Sequence, residues 1–499
     1  MSKRVPESWV WAKMLDILDY EGGSQPPKKE FIYEPREGYI RLLQIRDFGD
    51  KPFPTYVPDS HKLKRASCKD LLLARYGGSS ANDSLGRICT GLEGAYNVAL
   101  AKIILSNESL NNNYIKYLLM GPWFKEKVSY NSRSCQTGFN RDDLVEIDLP
   151  LAPINEQTRI VVKLDNLLGK VNACQKRLEH IPILLKRFRQ SVLAAACSGH
   201  LTADWRKENP DVETAIALLD RIRTIRLATA KNTKEKNQIA EAFQREQFAV
   251  ENDELSFNEI PNQWLVCRIG AIGTVVNGST PSRKQPEYWN GEIHWVSSGE
   301  VRNNKLTMTR ERITQTGYEN CSVRILPIGT VLLAMIGEGK TRGQTAVLEI
   351  DATINQNIAA VILDHGLINP EFLWRWFQFQ YEANRVLGSG SGPQALNCQR
   401  VREIPFALPP LNEQHEIVRR VEALFTLADQ IELRYSRAKA YVEKLTQSIL
   451  AKAFRGELVP QDPNDEPASM LLERIRKEKA QKSEKDTIKP KRKRRTRST

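Results

Sequence analysis

The residues whose types come nearest to a chemical motif form a glycine-rich segment, Ile336-Gly-Glu-Gly-Lys-Thr-Arg342. A phosphate-binding loop has the pattern G-x4-G-K-[ST], in which backbone amides and the lysine hold phosphate oxygens. The first glycine of that pattern is replaced here by Ala334, and the corresponding earlier stretch, Tyr76-Gly-Gly-Ser-Ser-Ala-Asn82, has no lysine. The segment is more typical of a polar loop near a ligand surface. An enzyme that binds a nucleotide through Gly339-Lys340-Thr341 stays open as an alternative.

Other catalytic and metal-binding patterns are missing from the sequence. It contains no HExxH motif and no Asn-Pro-Pro-aromatic or Asp-Pro-Pro-aromatic tetrapeptide of a DNA methyltransferase. The six histidines and eight cysteines are scattered, without a CxxC pair or the spacing of metal ligands. The sequence therefore predicts a chain that is not itself an enzyme and that holds no metal and no cofactor.

Basic and aromatic residues cluster in loop regions of two parts of the chain. Arginine and lysine contact DNA phosphates and guanine edges, so such clusters suit a surface that binds double-stranded DNA. Ordinary surface charge is the competing explanation. The candidate DNA-binding residues are Lys28, Lys29, Arg36, Arg75, Tyr76 and Arg133 in the first part, and Arg283, Lys284, Tyr288, Trp289, Lys340 and Arg342 in the second.

The composition is that of a globular protein with several domains. A length of 499 residues suggests about three to four domains, and 41% hydrophobic with 27% charged residues supplies enough core material. No apolar run reaches the length of a membrane span, and Met1–Glu7 lacks the apolar core of a signal peptide. Scattered cysteines fit a reducing compartment, so we expect a cytoplasmic protein without membrane contact.

The net charge of +13 is concentrated at one end of the chain. Residues 474–499 contain 13 Lys or Arg and 3 Asp or Glu, a net of +10, which leaves +3 for the rest. By composition the tail around Lys491–Arg495 is a disordered basic arm. It either contacts nucleic acid non-specifically or is a solvated end without a dedicated role.

Two long stretches of the chain are copies of each other, at a spacing of 257 residues. Leu151-Ala-Pro-Ile-Asn-Glu-Gln157 and Leu408-Pro-Pro-Leu-Asn-Glu-Gln414 open the copies, which continue without a gap to Leu201 and Leu458. A repeat this long indicates that a whole unit has been duplicated. The function is then expected to have two similar halves.

Both copies carry an a/d heptad pattern of apolar residues, from Ile160 to Val192 and from Ile417 to Ile449. Such a pattern predicts two helices that pack against each other as a coiled coil of about 50–60 Å. Gly199 and Gly456 end the helices, and Pro182 should kink the first one. Two core helices of ordinary domains are the alternative interpretation.

The regions before each helix also match, although the residues between the shared positions differ heavily. Each region is expected to fold as an α/β domain of about 150 residues with short strands near Tyr39–Ile45 and Gly329–Ile336 and helices near Tyr114–Met120 and Glu371–Tyr381. The matching pairs are Pro6 and Trp9 with Pro261 and Trp264; Leu73-Ala74 with Leu333-Ala334; Asn97-Val98-Ala99 with Asn357-Ile358-Ala359; Tyr114–Leu119 with Phe372–Phe377; Asn140 and Ile147 with Asn397 and Ile404; and Glu213–Arg223 with Glu466–Arg476.

On these residues the chain resembles the specificity (S) subunit of bacterial Type I restriction–modification enzymes, in its enteric-type branch. The likeness covers nearly the whole chain. Its most specific parts are the Asn-Glu-Gln openings, Ile181–Leu193 with Gly199–Arg206, and Leu445–Leu458. The resemblance implies an α+β multidomain fold with two α/β target-recognition domains, a long antiparallel coiled-coil helix pair between them, and an internal pseudo-twofold repeat.

The resemblance also implies a division of the chain into six segments. They are a first target-recognition domain (1–150), a central conserved coiled-coil helix (151–200), a charged helical linker (201–254), a second target-recognition domain (255–407), a C-terminal conserved coiled-coil helix (408–458), and a short helix with a disordered basic tail (459–499).

The function implied by the resemblance is non-catalytic. Each recognition domain would read one half of a bipartite, asymmetric DNA target, and the helix pair would fix the gap between the halves. Two methyltransferase (M) subunits with S-adenosylmethionine and restriction (R) subunits with ATP and Mg would supply the adenine methylation and the DNA cleavage. Residues expected at the helix pair or at M-subunit docking are Asn155, Glu156, Gln157, Leu164, Phe188, Asn412, Glu413, Gln414, Leu424 and Leu445. A coiled-coil scaffold without a DNA role is the remaining alternative.

Overall fold

The chain forms two compact units in a computed structural model that describes residues 5–49, 51–76, 84–131, 139–246, 260–337, 340–363, 366–386 and 396–488. One unit consists of Met1–Glu179 with Ser436–Thr499, and the other of His180–Tyr435. The boundaries fall inside the two repeated helical segments. Each unit therefore contains one of the variable regions and a part of each helical segment.

The first half of the chain contains a mixed domain followed by helices. Its strands are β1 (Val10–Lys13), β2 (Leu18–Gly22), β3 (Tyr39–Leu43), β4 (Tyr56–Pro58), β5 (Arg65–Ala66), β6 (Leu72–Ala74), β7 (Ile88–Cys89), β8 (Gly94–Tyr96), β9 (Leu100–Leu105) and β10 (Asp148–Leu151). Its helices are α1 (Met14–Ile17), α2 (Asn112–Leu119), α3 (Pro122–Asn131), α4 (Asp142–Val145), α5 (Ile154–Glu179), α6 (Ile181–Cys197), α7 (Ala203–Glu208), α8 (Ala215–Thr229) and α9 (Thr233–Glu246).

The second half has a similar order of elements, with one additional helix, α11 (Gln315–Glu319), inside its mixed domain. Its strands are β11 (Leu265–Arg268), β12 (Gly273–Asn277), β13 (Trp289–Val296), β14 (Asn304–Leu306), β15 (Glu311–Ile313), β16 (Val331–Ala334), β17 (Thr345–Leu348), β18 (Thr353–Ile354), β19 (Ile358–Leu363) and β20 (Pro405–Leu408). Its helices are α10 (Ile269–Ile272), α11 (Gln315–Glu319), α12 (Pro370–Phe379), α13 (Tyr381–Val386), α14 (Cys398–Glu403), α15 (Leu411–Ala453) and α16 (Ala468–Ile488).

The two mixed domains share their sheet topology. The larger sheet has the order β2-β9-β6-β7 in the first domain and β12-β19-β16-β17 in the second, where β14 is added at the edge. The smaller sheet has the order β4-β3-β8 in the first and β15-β13-β18 in the second, and β5 is added in the first. In each domain an antiparallel pair, β1 with β10 and β11 with β20, joins the beginning of the domain to its end. The residues between shared positions have diverged while the framework has not.

One of the sequence matches between the two domains is wrong by two residues. Ala101 of β9 lies opposite Leu73, and Ala359 of β19 lies opposite Leu333. The spacing between equivalent residues is therefore 260 at Leu73 and 258 at Ala101. The partner of Asn97 is Asn355, because the chain between the two strands is two residues longer in the first copy.

The first helical segment is interrupted where a kink was expected. α5 ends at Glu179, α6 begins at Ile181, and Pro182 lies in the first turn of α6. Proline has no amide hydrogen and its ring clashes with a carbonyl one turn earlier, so it is tolerated only near a helix start. The second copy has Lys439 at the equivalent position, and α15 continues without interruption for 43 residues.

Parts of the two helical segments share a hydrophobic core in each unit. In the first unit Ile160 and Leu164 of α5 belong to the same core as Leu450 of α15. In the second unit Val192 of α6 belongs to the same core as Ile417 of α15. The start of one segment thus packs with the end of the other, which is the order that an antiparallel pair produces.

Burial along the heptad pattern is uneven. Leu164 and Ile417 are fully buried, whereas Cys174 and Ile431, which occupy core positions of the predicted pattern, are exposed. Burial is therefore concentrated near the two ends of each helical segment, where the segment joins the core of a unit.

The C-terminal region is more helical than expected. α16 extends to Ile488 and so includes part of the segment that the charge count assigned to the tail. Lys491–Arg495 lies outside the described residues.

Candidate nucleic-acid interface

The first group of candidate DNA-binding residues lies on exposed turns of the first mixed domain. Lys28 and Lys29 are exposed on a single 3₁₀ turn, Lys28–Glu30. Arg36 is exposed, and its guanidinium lies 5.6 Å from the ring centre of Tyr39. These three cations can reach a polyanion without any rearrangement of the domain.

Arg75 has a structural role within its own domain. Its guanidinium donates to the carbonyl oxygen of Phe139 at 3.4 and 3.5 Å and lies 5.8 Å from the ring centre of Tyr20. The neighbouring Tyr76 is 37% exposed and remains accessible. Arg133 lies outside the described residues.

In the second mixed domain, Arg283 is held by its neighbours. Its Nη2 donates to Oε2 of Glu311 at 2.9 Å and Nη1 bonds to the other carboxylate oxygen. The same guanidinium lies 3.7 Å from the ring centre of Trp289. Lys284 is exposed beside it, and Tyr288 is half-buried, with its carbonyl oxygen accepting from the backbone.

The strands on either side of the glycine-rich segment are not arranged as the elements around a phosphate-binding loop are. β16 precedes the segment and β17 follows it, and the two strands pair antiparallel as a hairpin. A phosphate-binding loop leads from a strand into a helix, whose first amides bind the phosphate. Lys340 is exposed and its carbonyl oxygen accepts from Tyr381 Oη at 2.8 Å, Arg342 is half-buried, and Gly339 lies outside the described residues.

An exposed arginine in the 3₁₀ turn Ile45–Phe48, which follows β3 of the first domain, was missed by sequence reasoning. Arg46 donates from Nη2 to Oγ1 of Thr55 at 2.7 Å, and its guanidinium lies 4.9 Å from the ring centre of Phe53. The Phe53 ring lies 5.1 Å from that of Tyr33, and the two rings are 51% and 58% exposed. Only the three-dimensional arrangement brings these residues together, and no short sequence motif marks them.

The glutamate of each Asn-Glu-Gln motif is fully buried at the start of its helix. Trp9 Nε1 donates to Oε2 of Glu156 at 2.8 Å, and Trp264 Nε1 donates to Oε2 of Glu413 at 2.8 Å. A buried carboxylate requires hydrogen-bond donors, and in both copies a tryptophan from the beginning of the mixed domain supplies one. In each copy the hydrogen bond between this tryptophan and the motif glutamate therefore joins the mixed domain to the start of its helix.

The glutamine of the motif fastens a second element. Gln157 Oε1 accepts from the amide of Asn111 at 3.3 Å, and Gln414 Oε1 accepts from the amide of Asn369 at 2.9 Å. Asn111 and Asn369 are in turn the N-caps of α2 and α12. Asn155 of the first motif is exposed, as is its equivalent in the second, Asn412.

The remaining partners of the two buried glutamates differ between the copies. Glu413 is paired with Arg206 and accepts from Oγ1 of Thr202 at 2.6 Å. Glu156 accepts instead from the neutral amide of Gln461, at 2.6 Å. Burial accordingly raises the pKa of Glu156 above its ordinary value, although the hydrogen bonds from Trp9 and Gln461 act in the opposite direction.

Four of the predicted helix-pair residues lie at the cores of the units. Leu164 is fully buried, and Leu445 packs against the same core. Phe188 and Leu424 pack, partly buried, against the core of the other unit. These side chains pack within their own units, as do those of the buried glutamates and glutamines.

A metal site and a membrane span are two further possibilities for a chain of this size. Within the described ranges, no three His, Cys, Asp or Glu side chains come together as metal ligands would. None of the helices in the same ranges has both the length and the apolar character needed to cross a membrane.

Comparisons with known proteins give the site its context. The family model described as Type I restriction modification DNA specificity domain matches residues 261–435. The specificity subunit of the Escherichia coli Type I restriction enzyme EcoDI is 31% identical over 407 residues, which cover 78% of this chain and 81% of that subunit. The StySPI specificity subunit of Salmonella potsdam is 27% identical, over 98% of this chain and 99% of that subunit.

A solved structure has the same fold. The HsdS subunit from Thermoanaerobacter tengcongensis superposes with a TM-score of 0.53 at 16% identity, over 91% of this chain and 99% of that one. The identity of the EcoDI subunit over most of both chains carries the assignment. The chain therefore belongs to the specificity subunits of Type I restriction–modification enzymes, the non-catalytic components of those enzymes.

Proposed function

We propose that this chain reads a bipartite, asymmetric DNA target, one half through each mixed domain. The supporting observation is the duplication: the two domains share an order of four strands in the larger sheet and of three strands in the smaller one, and each is joined to its helix through an equivalent tryptophan and glutamate. The exposed side chains differ between the domains, so the two halves of the target should differ too. Two linked readers bind a split target more tightly than either alone, because the second contact is intramolecular.

The segment boundaries proposed for this function are those expected from the sequence, 1–150 and 255–407 for the two recognition domains. Lys28, Lys29 and Arg36 are exposed, as are Lys284 and Lys340 in the second domain. We assign these cations to DNA contact. They serve to position the DNA, because contacts to phosphates carry no sequence information.

The helical segments are the proposed docking surface for two methyltransferase subunits. Equivalent helices of the two units, α8 and α16, expose Ile216 (62%) and Met470 (49%). Further exposed apolar residues on the helical segments are Val162, Ile183, Leu184, Leu433 and Tyr441. Two similar surfaces suit two copies of one partner. The buried motif residues Glu156, Gln157, Glu413 and Gln414 then support docking only indirectly, by holding the helices in place, whereas Asn155 and Asn412 are accessible.

The chemistry belongs to the partners in this proposal. The methyltransferase subunits hold S-adenosylmethionine, and the restriction subunits hold ATP and Mg, in the bacterial cytoplasm where the DNA lies. The hairpin at Lys340 gives no support to the alternative of a nucleotide-dependent enzyme. Purified chain should therefore hydrolyse no ATP, and an activity that Lys340→Ala abolishes would revive the alternative.

The direct test maps methylated adenines in DNA from cells that express the chain with its methyltransferase partner. We expect methylation at a single split sequence with two unequal halves and a fixed gap. Cells that express the partner alone are the control. Methylation at an unsplit sequence, or the same pattern in the control, would refute the proposal.

The gap between the halves offers a separate test of the helices. We expect an insertion of four residues into each helical segment, about 6 Å of helix, to lengthen the unspecified gap in the methylated sequence. The halves themselves should stay the same. If the gap stays unchanged in an insertion variant that still methylates DNA, the helices do not set it.

A further inference from the structure

One position of the smaller sheet is equivalent in the two recognition domains. Arg41 of β3 lies opposite Tyr56 of β4, and His294 of β13 lies opposite Arg312 of β15. β3 and β13 are themselves equivalent, because each pairs in parallel with a short strand, β8 or β18. In both domains that parallel pairing begins at the residue after Arg41 or His294. The residues just before Tyr56 and Arg312 are Thr55 and Glu311, and they therefore occupy the same place in the two domains.

Both of these residues hold an arginine that lies over an aromatic ring. Thr55 binds Arg46, whose guanidinium lies 4.9 Å from the ring centre of Phe53. Glu311 binds Arg283 at both carboxylate oxygens, with the guanidinium 3.7 Å from the ring centre of Trp289. Arg46 follows its strand in the sequence, whereas Arg283 precedes the equivalent strand. Equivalent positions of the two domains thus each hold an arginine that lies beside an aromatic ring, although the arginines come from unrelated parts of the sequence.

Stability does not account for this arrangement. The side chains of Arg283 and Glu311 are 54% and 37% exposed, and Phe53 is 51% exposed. Exposed ion pairs and exposed cation–aromatic contacts each contribute about 1 kcal/mol or less to folding. Their main effect is to restrict a flexible guanidinium to one orientation, which lowers the entropy lost when it binds a partner.

We propose that Arg46 in the first domain and Arg283 in the second each read a guanine in their half of the target. This inference rests on the proposed function. A guanidinium in a fixed orientation can donate two hydrogen bonds to O6 and N7 of guanine in the major groove. Thr55 is neutral and leaves the charge of Arg46 uncompensated. Glu311 repels phosphates and can accept from N4 of cytosine, so the Arg283–Glu311 pair fits a G·C base pair.

The experiment measures binding of the complex with its methyltransferase partner to its mapped target, in which each guanine is replaced in turn by 7-deazaguanine. That base lacks the N7 acceptor. We expect one replacement in each half to weaken binding of the unaltered complex on the order of tenfold. Arg46→Ala should remove the sensitivity in the first half only, and Arg283→Ala the sensitivity in the second half only.

Two arginines of the same sheets provide controls. Arg65 is on β5 and Arg312 is next to Glu311 on β15, with its side chain on the opposite face of the strand. Arg65→Ala and Arg312→Ala should keep both sensitivities.

Thr55→Val and Glu311→Gln test the positioning residues and should reduce, without abolishing, the sensitivity in their own halves. Arg46→Lys and Arg283→Lys keep the charge without the planar fork, and should behave as the alanine variants do.

The outcomes separate the inference from the function on which it rests. The inference would be overturned if the arginine variants kept the sensitivity of the unaltered complex. It would also be overturned if the unaltered complex were insensitive to every replacement. In both cases the proposed split target would still stand. An unaltered complex that does not bind a split target would instead overturn the proposed function.

Discussion

The two buried glutamates of the repeated motif occupy the same place but have different electrostatic partners. Glu413 is neutralised by Arg206, whose side chain is only 12% exposed. Glu156 is bound by the neutral donors of Trp9 and Gln461. Removing the charge should therefore have unequal effects in the two copies.

Glu413→Gln is expected to destabilise the protein by about 3–5 kcal/mol, because it leaves the largely buried charge of Arg206 without its counter-ion. Glu156→Gln should cost about 1 kcal/mol or less, because the new amide keeps an acceptor for Trp9 and Gln461 can reverse its own amide. Urea denaturation of the two variants measures the difference. Equal losses in both would show that Arg206 does not determine the cost.

A second prediction concerns acid sensitivity near Arg420. The Arg419 guanidinium, and after it Arg420, lower the pKa of Glu416 to about 2, and Arg420 lowers the pKa of Asp204 to about 2. Both values lie below those of the unfolded chain, 4.5 and 3.8. The ionised carboxylates therefore stabilise the fold above those values, and that contribution is lost as the pH falls towards 2.

The unfolding free energy should accordingly fall between pH values of about 5 and 2, and added salt should reduce the fall because the side chains of Asp204 and Arg419 are exposed. Denaturant titrations across this range measure it, with Glu416→Gln combined with Asp204→Asn as the comparison. The double variant should show a smaller fall. A fall of the same size would place the acid-sensitive groups elsewhere.

Sequence reasoning identified the buried motif but not its partners. The repeat pointed to Glu156 and Glu413 because both copies keep them. Arg206 and Gln461 have the same role, since each also donates to the carbonyl oxygen of the glycine that ends the repeated helix of its unit. They differ in type and in distance from that glycine along the chain, so a comparison of the copies carries no signal for them. Arg46 was missed for a related reason: its role depends on Thr55 and Phe53, which only folding brings near it.

At the scale of the elements, two glycines end the repeated helices against a proline of their own unit. Gly199 has φ +78° and Gly456 has φ +74°, a region that favours glycine. A Cβ atom on Gly199 would lie 2.5 Å from Cγ of Pro261, and one on Gly456 would lie 2.2 Å from Cγ of Pro6. Both the backbone conformation and the close approach therefore require glycine.

Gly199→Ala and Gly456→Ala are expected to destabilise the protein by at least about 1–2 kcal/mol each. Gly169→Ala is the matched control, because Gly169 lies in α5 with open space around the position that its new methyl group would take. This variant should gain about 0.5–1 kcal/mol, since alanine favours the helix. Thermal denaturation of the three variants measures the changes. A loss in Gly169→Ala as large as in the others would contradict this account.

The elements themselves were largely predictable because their periodicity is strong. The strands and helices expected near Tyr39, Gly329, Tyr114 and Glu371 are present as β3, β16, α2 and α12. The shift between Asn97 and its partner Asn355 was not predictable, since a two-residue difference in a diverged loop leaves no mark in the sequence. The uneven burial of the heptad positions was also missed, because periodicity shows which residues share a face and not what covers that face.

At the scale of the whole chain, duplication accounts for the size of this non-catalytic subunit, because the mixed domain and its helical segment each occur twice. Each unit combines one recognition domain with parts of both helical segments, so neither copy of the repeat forms a unit by itself. In the proposed function, a second copy of the framework supplies a second reader whose exposed residues can change independently. The specificity of each half should then depend on the domain and not on the helices.

An exchange of one domain tests that central claim most directly. Residues 1–150 are replaced by the corresponding domain of another family member, and methylated adenines are mapped in cells that also express the methyltransferase partner. The account predicts that one half of the target changes while the other half and the gap stay the same. A target that is unchanged, or changed in both halves, would contradict it.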